Sequence, residues 1–294
     1  MPKPNTFIIG AMKAATSSLH SYLGRHPDIG MSAFKEPAFF LGPTRPSDGP
    51  ALSDRYRNDE AEYLSLFDGM ESLRIRGEST TDYTKRPRFE GVAARIHAFD
   101  ENVRLIYLLR DPIDRTISHY WWAVRHENET REMIDAFKAD PFYEQVSNYA
   151  WQLQPYLERF GPDRVLVDTT ERLSQSPEAF LRRTFKWLGV DPDIPLAEGA
   201  VRHNVTPDTV VQTRSTFLQA VRHSPYLGRA LTRLTPRRLR TLARSWAERE
   251  VDKAASPTLA VRRHLRSRQR EQTARLSELL QRSFDEWSTL YGDD

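Results

Sequence analysis

The stretch Thr6-Phe-Ile-Ile-Gly-Ala-Met-Lys13-Ala-Ala-Thr16-Ser17-Ser18-Leu19 decides the fold of this chain. It predicts an apolar strand, a turn of small residues with one lysine, and a helix that opens on hydroxyl residues. Unpaired backbone N–H groups and the helix dipole make such a helix start favourable for an anion. Lys13 adds a full charge, and Thr16, Ser17 and Ser18 add hydroxyl donors. The sequence therefore predicts a phosphate or sulfate site; the alternative is an ordinary strand–turn–helix with a solvated lysine.

The segment is not a Walker A loop, in which lysine directly precedes the Ser/Thr residue. Here Lys13 precedes Thr16 by three positions, and Ala14 and Ala15 lie between them. We expect the lysine to enter the anion site from its near edge, close to a bridging oxygen of the bound group. This placement favours a donor with one reactive anhydride over a nucleoside triphosphate.

Composition bounds the class of protein. The chain has 294 residues, of which 39% are apolar and 28% charged, enough for one large α/β domain. We predict a single domain over residues 1–294, mainly helical from 213 to 294. The absence of cysteine excludes disulfides and thiolate chemistry. Because we find neither a signal peptide nor an apolar run of about 18–20 residues, we expect a cytoplasmic protein without a membrane span.

Positive charge is concentrated in one part of the chain. Residues 222–270 contain 14 Lys/Arg and three Asp/Glu, whereas the net charge of the whole chain is +3. Such a basic block suits nucleic acid, a membrane surface or a polyanionic substrate. Because neither an aromatic ladder nor a nucleic-acid motif accompanies it, we favour solvated faces of arginine-rich helices, which include Arg262, Arg263, Arg266 and Arg268.

Apolar runs alternate with helical patterns along much of the chain. The runs predict buried strands at 7–9, 73–76, 103–109 and 165–167. The helical patterns lie at 17–25, 112–124, 143–160 and 177–188. Strands that alternate with helices imply right-handed crossovers and an α/β fold with a central parallel sheet flanked by helices. Ligands of such sheets bind outside the carboxyl ends of the strands.

A second informative stretch, Arg110-Asp-Pro-Ile-Asp-Arg115-Thr-Ile-Ser118, follows the strand predicted at 103–109. Asp111 can cap a helix whose first residue is Pro112. Arg110 then lies at the carboxyl edge of the sheet, and Ser118 lies about two turns into the helix. A guanidinium fork beside a hydroxyl suits a second, separate phosphate. The alternative is a helix-capping arginine with a surface serine.

Together these segments resemble those of the sulfotransferases that use 3′-phosphoadenosine 5′-phosphosulfate (PAPS). That family shares a K-x-G-T-[TS] loop for the 5′-phosphosulfate, here Lys13-Ala-Ala-Thr16-Ser17, and an R-D-P-x-x-R-x-x-S site for the 3′-phosphate, here 110–118. Lys35-Glu-Pro-Ala-Phe-Phe40 resembles the K-E-x-x-F-F element of the heparan-sulfate-type branch and its bacterial relatives, and Gly77-Glu-Ser through Tyr83 resembles that branch's next element. The resemblance implies a P-loop-like nucleotide-binding sulfotransferase fold.

Two positions depart from the family pattern. Ala15 replaces the usual glycine of the loop; it keeps its N–H group but disfavours a positive φ. Ser79 stands where relatives that act on heparan chains have a lysine, which weakens the case for that polymer as the acceptor.

The resemblance implies a donor site of three parts. The first is the 5′-phosphosulfate loop, formed by Lys13, Ala14, Ala15, Thr16, Ser17 and Ser18, with the lysine at the bridging oxygen. The second is the 3′-phosphate site, formed by Arg110 and Ser118. The third is a polar run after the last strand, in which Arg202 and Asn204 are candidates to close over the nucleotide.

The acceptor side needs a general base, because a neutral hydroxyl must lose its proton. By the resemblance, Glu36 is the candidate; the alternative is a surface carboxylate paired with Lys35. His119 and His126 are substitute bases, each with a structural role as the alternative.

We therefore predict a sulfotransferase that moves a sulfuryl group from PAPS to a hydroxyl of a small metabolite or sugar and leaves adenosine 3′,5′-bisphosphate. No metal is implied, because acids are not clustered at ligand spacing and lysine and arginine supply the positive charge. Two alternatives stay open: a nucleotide or small-molecule kinase on a P-loop-like sheet, and a nucleic-acid-binding protein that uses the basic block. The missing G-K-[ST] and the second phosphate site disfavour the kinase, and nucleic acid is not the expected partner.

Overall fold

A five-stranded parallel sheet forms the centre of the fold. The computed structural model describes residues 1–43, 53–127, 129–194, 209–213, 248–252 and 258–292. The predicted α/β fold with a parallel sheet is confirmed. In spatial order the strands are β2 (Ile29–Met31), β3 (Ile75–Ser79), β1 (Thr6–Gly10), β4 (Arg104–Leu109) and β5 (Val165–Thr169), and all neighbours are parallel.

The central strands are buried on both faces, which explains their nearly continuous apolar sequence. Side chains of β1 and β4 alternate between two hydrophobic clusters. Phe7 and Tyr107 pack on one face and Ile8 and Ile106 on the other, each at most 1% exposed. Helices cover both faces, so the sheet is the middle of three layers.

The helices flank the sheet on both sides and are interrupted by short 3-10 turns. Their bounds are α1 (Thr16–Leu23), α2 (Asp54–Asn58), α3 (Glu60–Ser65), α4 (Val92–Phe99), α5 (Pro112–His126), α6 (Met133–Ala139), α7 (Phe142–Gln145), α8 (Tyr149–Phe160), α9 (Thr170–Gln175), α10 (Pro177–Leu188), α11 (Leu259–Leu280) and α12 (Ser288–Tyr291). The 3-10 helices are Phe39–Leu41, Thr81–Thr84 and Pro162–Arg164. Within the described part of the chain, no helix is long and apolar enough to cross a membrane.

Three elements differ from the sequence predictions. The helix predicted at 143–160 is divided into α7 and α8, because Asn148 caps α8 by accepting the N–H of Trp151 at 3.4 Å. β2 has only three residues, too few to produce a periodic pattern. The C-terminal part, predicted to be mainly helical, contains the long helix α11, but Thr209–Thr213 (β6) and Glu248–Asp252 (β7) pair as antiparallel strands. Their pairing depends on a distant partner, which local patterns do not reveal.

The strand order produces a topological switch between β1 and β4. From β1 the chain leads to β2 and β3 on one side, and later to β4 and β5 on the other. The helix after β1 packs on one face of the sheet and the helix after β4 on the opposite face. Open α/β sheets bind ligands in the crevice at the carboxyl ends of strands at such a switch. The loop after β1 and Arg110 after β4 both lie at this point.

Arginines of the basic block hold the C-terminal segment. Arg266 Nε donates to the carbonyl oxygen of Thr289 at 2.9 Å, and Arg270 Nε to that of Leu290 at 3.3 Å. Arg268 pairs with the buried Glu144 at 3.0 Å. Arg268 and Arg270 are exposed, as the sequence predicts, and Arg266 is half-buried, but each of the three also has a carbonyl or carboxylate partner. Residues 222–247 and 253–257 of the block lie outside the described residues.

The same C-terminal segment supports the switch point. The backbone N–H of Leu290 donates to Asp111 Oδ2 at 2.9 Å. Thr169, at the end of β5, donates its hydroxyl to Glu286 at 2.9 Å. α12 and the turn before it are therefore hydrogen-bonded to the N-terminal caps of α5 and α9, the helices that follow β4 and β5.

Replacing Arg268 with alanine should lower the free energy of unfolding by about 1–2 kcal/mol, because the buried Glu144 carboxylate loses a charged partner. The matched control is Arg275→Ala on the same helix, whose partner Glu271 is 71% exposed; such a surface pair is worth about 0.5 kcal/mol or less. Urea unfolding of both variants measures the difference. Equal losses would contradict a structural role for the Arg268–Glu144 pair.

Candidate functional site

The loop between β1 and α1 turns sharply through left-handed residues. Lys13 and Ala15 have φ angles of 70° and 58°, so Ala15 adopts the conformation that alanine disfavours. Left-handed residues in a turn direct successive N–H groups to one side and create an anion-binding concavity. Ala15 precedes α1 without any side-chain cap, so the first N–H groups of the helix face the loop. This geometry is compatible with the anion site that the sequence predicts.

The side chains of this loop divide between anchoring and accessible positions. Ala14 is fully buried, and its N–H donates to the carbonyl oxygen of Ala11 at 3.1 Å. Thr16 and Ser18 are also buried, whereas Lys13 and Ser17 are partly exposed. The lysine and one hydroxyl are thus accessible beside the helix start.

Arg110 joins the second predicted segment to the first. It directly follows β4, and its Nη1 donates to the carbonyl oxygen of Lys13 at 3.4 Å. Asp111 caps α5, as the sequence predicts, by accepting the N–H of Ile113 at 3.0 Å. Ser118 lies on the same helix and is partly exposed. The structure therefore brings Lys13 and Arg110 together, with Ser118 on the helix that Arg110 precedes.

Thr170, which the sequence pattern does not single out, joins the end of β5 to the end of β4 and to the loop after β1. Its hydroxyl lies 3.0 Å from the carbonyl oxygen of Ala14 and 2.9 Å from that of Leu109. It is the first residue of α9, immediately after β5. The sequence signal for this position is a hydroxyl residue directly after a buried strand. Its partners, however, lie far away in sequence, so the signal does not show what Thr170 binds.

Glu36 lies on a segment with two left-handed residues, Glu36 at φ 64° and Ala38 at φ 60°. Its Oε2 accepts the backbone N–H of Thr81 at 2.7 Å, and its own N–H donates to the carbonyl oxygen of Ser79 at 2.9 Å. Its side chain is 37% exposed and also forms an ion pair with Lys35. The ion pair between Glu36 and Lys35, which was the alternative interpretation of this residue, is therefore present. The N–H of Thr81 orients the carboxylate in addition.

The two substitute bases occupy structural positions. His119 is buried, and its Nδ1 accepts from Arg115 at 3.4 Å. Burial, followed by the charges of Arg115 and Lys85, lowers the pKa of His119 well below its usual value. His126 binds the carbonyl oxygen of Trp122 through Nδ1 at 3.0 Å and stacks on the Trp122 ring. Neither arrangement resembles the exposed, oriented carboxylate of Glu36.

Arg115 is a fully buried cation within the predicted 3′-phosphate segment, 110–118. It donates to the hydroxyl of Ser147 and to the carbonyl oxygen of Tyr143. Burial lowers its pKa to about 10, and the charge of Arg110 contributes in the same direction. The side chain fixes α5 against the 142–147 segment and does not face solvent.

Glu78 is a buried carboxyl group to which the sequence pattern alone assigns no role. It accepts hydroxyl protons from Thr80 and Tyr83, each at 2.7 Å, and from Tyr63 at 3.4 Å. Burial raises the pKa of Glu78 to about 7, and the nearby Glu36 adds to the effect, whereas the hydroxyl hydrogen bonds oppose it. The group lies one strand away from the switch point, at the end of β3.

Ser79, which occupies the lysine position of heparan-type relatives, is directed inward. It is fully buried, and its hydroxyl lies 2.8 Å from Nδ1 of His20. Nε2 of His20 contacts the carbonyl oxygen of Ser32 at 3.2 Å. Burial, with the charge of Lys35, lowers the pKa of His20 to about 4. The serine is therefore held by a neutral histidine and does not replace the cationic function of a lysine.

Two predicted site residues, Arg202 and Asn204, lie outside the described residues. Within the described ranges there is no group of three or more His, Asp or Glu residues that could hold a metal ion.

The comparisons with known proteins decide the family. Residues 4–193, more than half of the chain, match the sequence profile described as "Sulfotransferase family". The chain belongs to the sulfotransferase family. A crystal structure of a sulfotransferase from Alicyclobacillus acidocaldarius superimposes on this structure with a TM-score of 0.70 and 26% identity, covering 98% of this chain and 99% of that one.

Relatives of this sulfotransferase chain include enzymes named for carbohydrate acceptors. Heparan sulfate glucosamine 3-O-sulfotransferase 3B1 of Mus musculus is 29% identical over 200 residues, which are 64% of this chain and 46% of that protein. Carbohydrate sulfotransferase 15 of Homo sapiens is 27% identical over 252 residues, covering 64% of this chain and 44% of that protein. The chain thus spans less than half the length of these relatives.

The raised pKa of Glu78 predicts a specific pH dependence of stability. From about pH 4.5 to about pH 7, the folded protein keeps a proton on Glu78 that the unfolded chain has released. This group alone should therefore lower the free energy of unfolding, by about 3 kcal/mol in total, as the pH rises through that window. Burial also raises the pKa of Asp111 to about 6, so Asp111 likewise lowers the free energy of unfolding as the pH rises. His20, whose pKa is lowered to about 4, has the opposite effect.

Comparison with Glu78→Gln isolates the effect, because the other groups titrate in both proteins. Urea unfolding at several pH values should show the wild-type protein losing stability relative to Glu78→Gln between pH 4.5 and 7. Parallel curves for the two proteins would mean that Glu78 titrates normally.

Proposed function

We propose that this sulfotransferase moves a sulfuryl group from PAPS to a hydroxyl of a small metabolite or a carbohydrate. The contact between Arg110 and the carbonyl oxygen of Lys13 carries the proposal, because it joins two anion-binding segments at one switch point. PAPS has a 5′-phosphosulfate and a 3′-phosphate at a fixed separation, so it suits such a pair. The names of the mammalian relatives support a sugar acceptor.

In this proposal the donor occupies both segments. N–H groups of the 13–18 loop other than those of Ala14 and Ser18, with the accessible hydroxyl of Ser17, bind the 5′-phosphate, as helix starts do. The buried hydroxyls of Thr16 and Ser18 remain candidates on the sequence pattern alone. Arg110 and Ser118 bind the 3′-phosphate. Arg202 and Asn204 remain candidates to close over the nucleotide, on the sequence pattern alone.

The proposed chemistry is an in-line displacement at sulfur. The acceptor oxygen attacks the sulfur atom while the bond from sulfur to the 5′-phosphate oxygen breaks. Lys13 stabilises the charge that develops on that oxygen, and adenosine 3′,5′-bisphosphate leaves. Because Lys13 and Arg110 supply the positive charge, the proposal includes no metal ion.

Glu36 accepts the acceptor's proton in this scheme. Its Oε2 is bound by the N–H of Thr81 at 2.7 Å, and its side chain is 37% exposed. Thr81 binds Oε2 and Lys35 pairs with Oε1, but a carboxylate has about four lone-pair sites, so sites remain that can accept a proton. An oriented, accessible carboxylate is what general-base catalysis requires.

Nucleotide binding tests the donor site. Adenosine 3′,5′-bisphosphate should raise the Tm of the wild-type protein, by an amount equivalent to about 2.7 kcal/mol at 100 times the Kd. ATP with Mg²⁺ should raise it less. Arg110→Ala should weaken the bisphosphate at least tenfold, because a charge-assisted contact is worth about 1.5–3 kcal/mol.

The control is adenosine 5′-phosphate, which lacks the 3′-phosphate and should lose little affinity in Arg110→Ala. Equal losses for both nucleotides would mean that the substitution disturbs the 13–18 loop rather than a 3′-phosphate contact. Stabilisation by ATP with Mg²⁺ alone would favour a kinase.

Replacing Glu36 with glutamine keeps the shape of the side chain but removes its ability to accept a proton. We expect kcat to fall about a hundredfold or more, while the Kd of adenosine 3′,5′-bisphosphate stays within twofold. Glu90→Gln, which changes an exposed carboxylate paired with Arg86, should leave kcat unchanged. An active Glu36→Gln enzyme would remove Glu36 as the base.

A further inference from the structure

The segment that carries Glu36 has a conformation that its own sequence does not favour. Glu36 and Ala38 both have left-handed φ angles, 64° and 60°. Each such residue other than glycine costs about 1–2 kcal/mol, and it persists only where the surroundings impose it. Something outside the segment must therefore hold it.

Two hydroxyl groups from the stretch that follows β3 hold the segment. The backbone N–H of Ala38 donates to the hydroxyl oxygen of Thr80 at 3.3 Å, and the backbone N–H of Phe40 donates to that of Tyr83, also at 3.3 Å. Thr80 and Tyr83 are buried, at the end of β3 and in the 3-10 turn that follows it. These contacts fix the two backbone positions that follow the candidate base.

A hydroxyl has one proton and two lone pairs, so its direction matters. Thr80 donates its proton to Glu78 Oε2 and Tyr83 donates its proton to Glu78 Oε1, each at 2.7 Å. Because both protons are used on the carboxylate, the lone pairs of both oxygens face the backbone N–H groups of the segment. A neutral acid or an amide at position 78 would itself donate to one hydroxyl and reverse that orientation.

We propose that Glu78 is a positioning residue that orients Glu36 through the hydroxyls of Thr80 and Tyr83. Its carboxyl group is completely buried, so it acts through the two hydroxyls and touches no substrate. The inference rests on the proposed role of Glu36 as the base. By orienting the two hydroxyls, Glu78 holds the 36–40 segment in the position in which the Glu36 carboxylate accepts the N–H of Thr81.

Paired variants test the hydroxyls without removing the buried carboxylate. Thr80→Val keeps the size of the side chain and removes the hydroxyl, whereas Thr80→Ser keeps the hydroxyl. Tyr83→Phe removes a hydroxyl that binds both Glu78 and the segment. Tyr63→Phe is its control, because the Tyr63 hydroxyl is 3.4 Å from Glu78 and does not bind the segment.

The assay measures kcat and the Kd of adenosine 3′,5′-bisphosphate at pH 8. We expect Thr80→Val and Tyr83→Phe each to lower kcat about tenfold or more, because small displacements of a catalytic group can cost up to about a hundredfold. Their nucleotide Kd should stay within twofold of the wild-type value. Thr80→Ser and Tyr63→Phe should keep kcat within about threefold.

A double variant shows whether the hydroxyl acts through Glu36. If it does, Thr80→Val should add little to the loss already caused by Glu36→Gln, since the effects of coupled groups are not additive. Full additivity, normal kcat in Thr80→Val, or an equal loss in Thr80→Ser would overturn the positioning role. A fully active Glu36→Gln enzyme would instead overturn the proposed base, and the positioning role with it, so the two failures are distinguishable.

Discussion

The rest of the site depends on the hydrogen bonds that tie together the carboxyl ends of three parallel strands. The Thr170 hydroxyl, after β5, contacts the carbonyl oxygen of Ala14 in the loop after β1 and that of Leu109 at the end of β4. Arg110 contacts the carbonyl oxygen of Lys13 in the same loop. A loop with two left-handed residues other than glycine does not form for local reasons. The neighbouring strand ends hold the loop in place. They thereby set the distance between Arg110 and the N–H groups and lysine of the 13–18 loop.

The acceptor side of the site is likewise held by contacts from outside the segment that carries the functional residue. Glu36 lies in a second segment with left-handed residues, and the buried Glu78 network at the end of β3 holds that segment from outside. Strained conformations of this kind cluster at functional sites, where the surrounding structure over-determines them. The sheet therefore supplies two rigid supports, one for each reactant of the proposed reaction.

Local features of the site could be predicted from the sequence, and long-range ones could not. The strands at β1 and β4, the Asp111 cap and the joint position of Lys13 and Arg110 follow from apolar runs and from rules that act over a few residues. Thr170 was missed because its partners lie far away in sequence. The partners of Glu78 are near it in sequence, but their hydroxyls also bind the backbone of Ala38 and Phe40, 42 and 43 positions away, which local patterns do not reveal. The partners of the α11 arginines could not be predicted either, since Arg268 meets Glu144 only after the chain has folded.

The central claim is that the loop after β1 and the segment after β4 bind the two anionic groups of one nucleotide. A crystal structure with adenosine 3′,5′-bisphosphate tests it most directly. The account predicts the 5′-phosphate on the N–H groups of the 13–18 loop, beside Lys13, and the 3′-phosphate against Arg110 and Ser118. A nucleotide bound elsewhere, or one whose 3′-phosphate has no contact with Arg110, would contradict it.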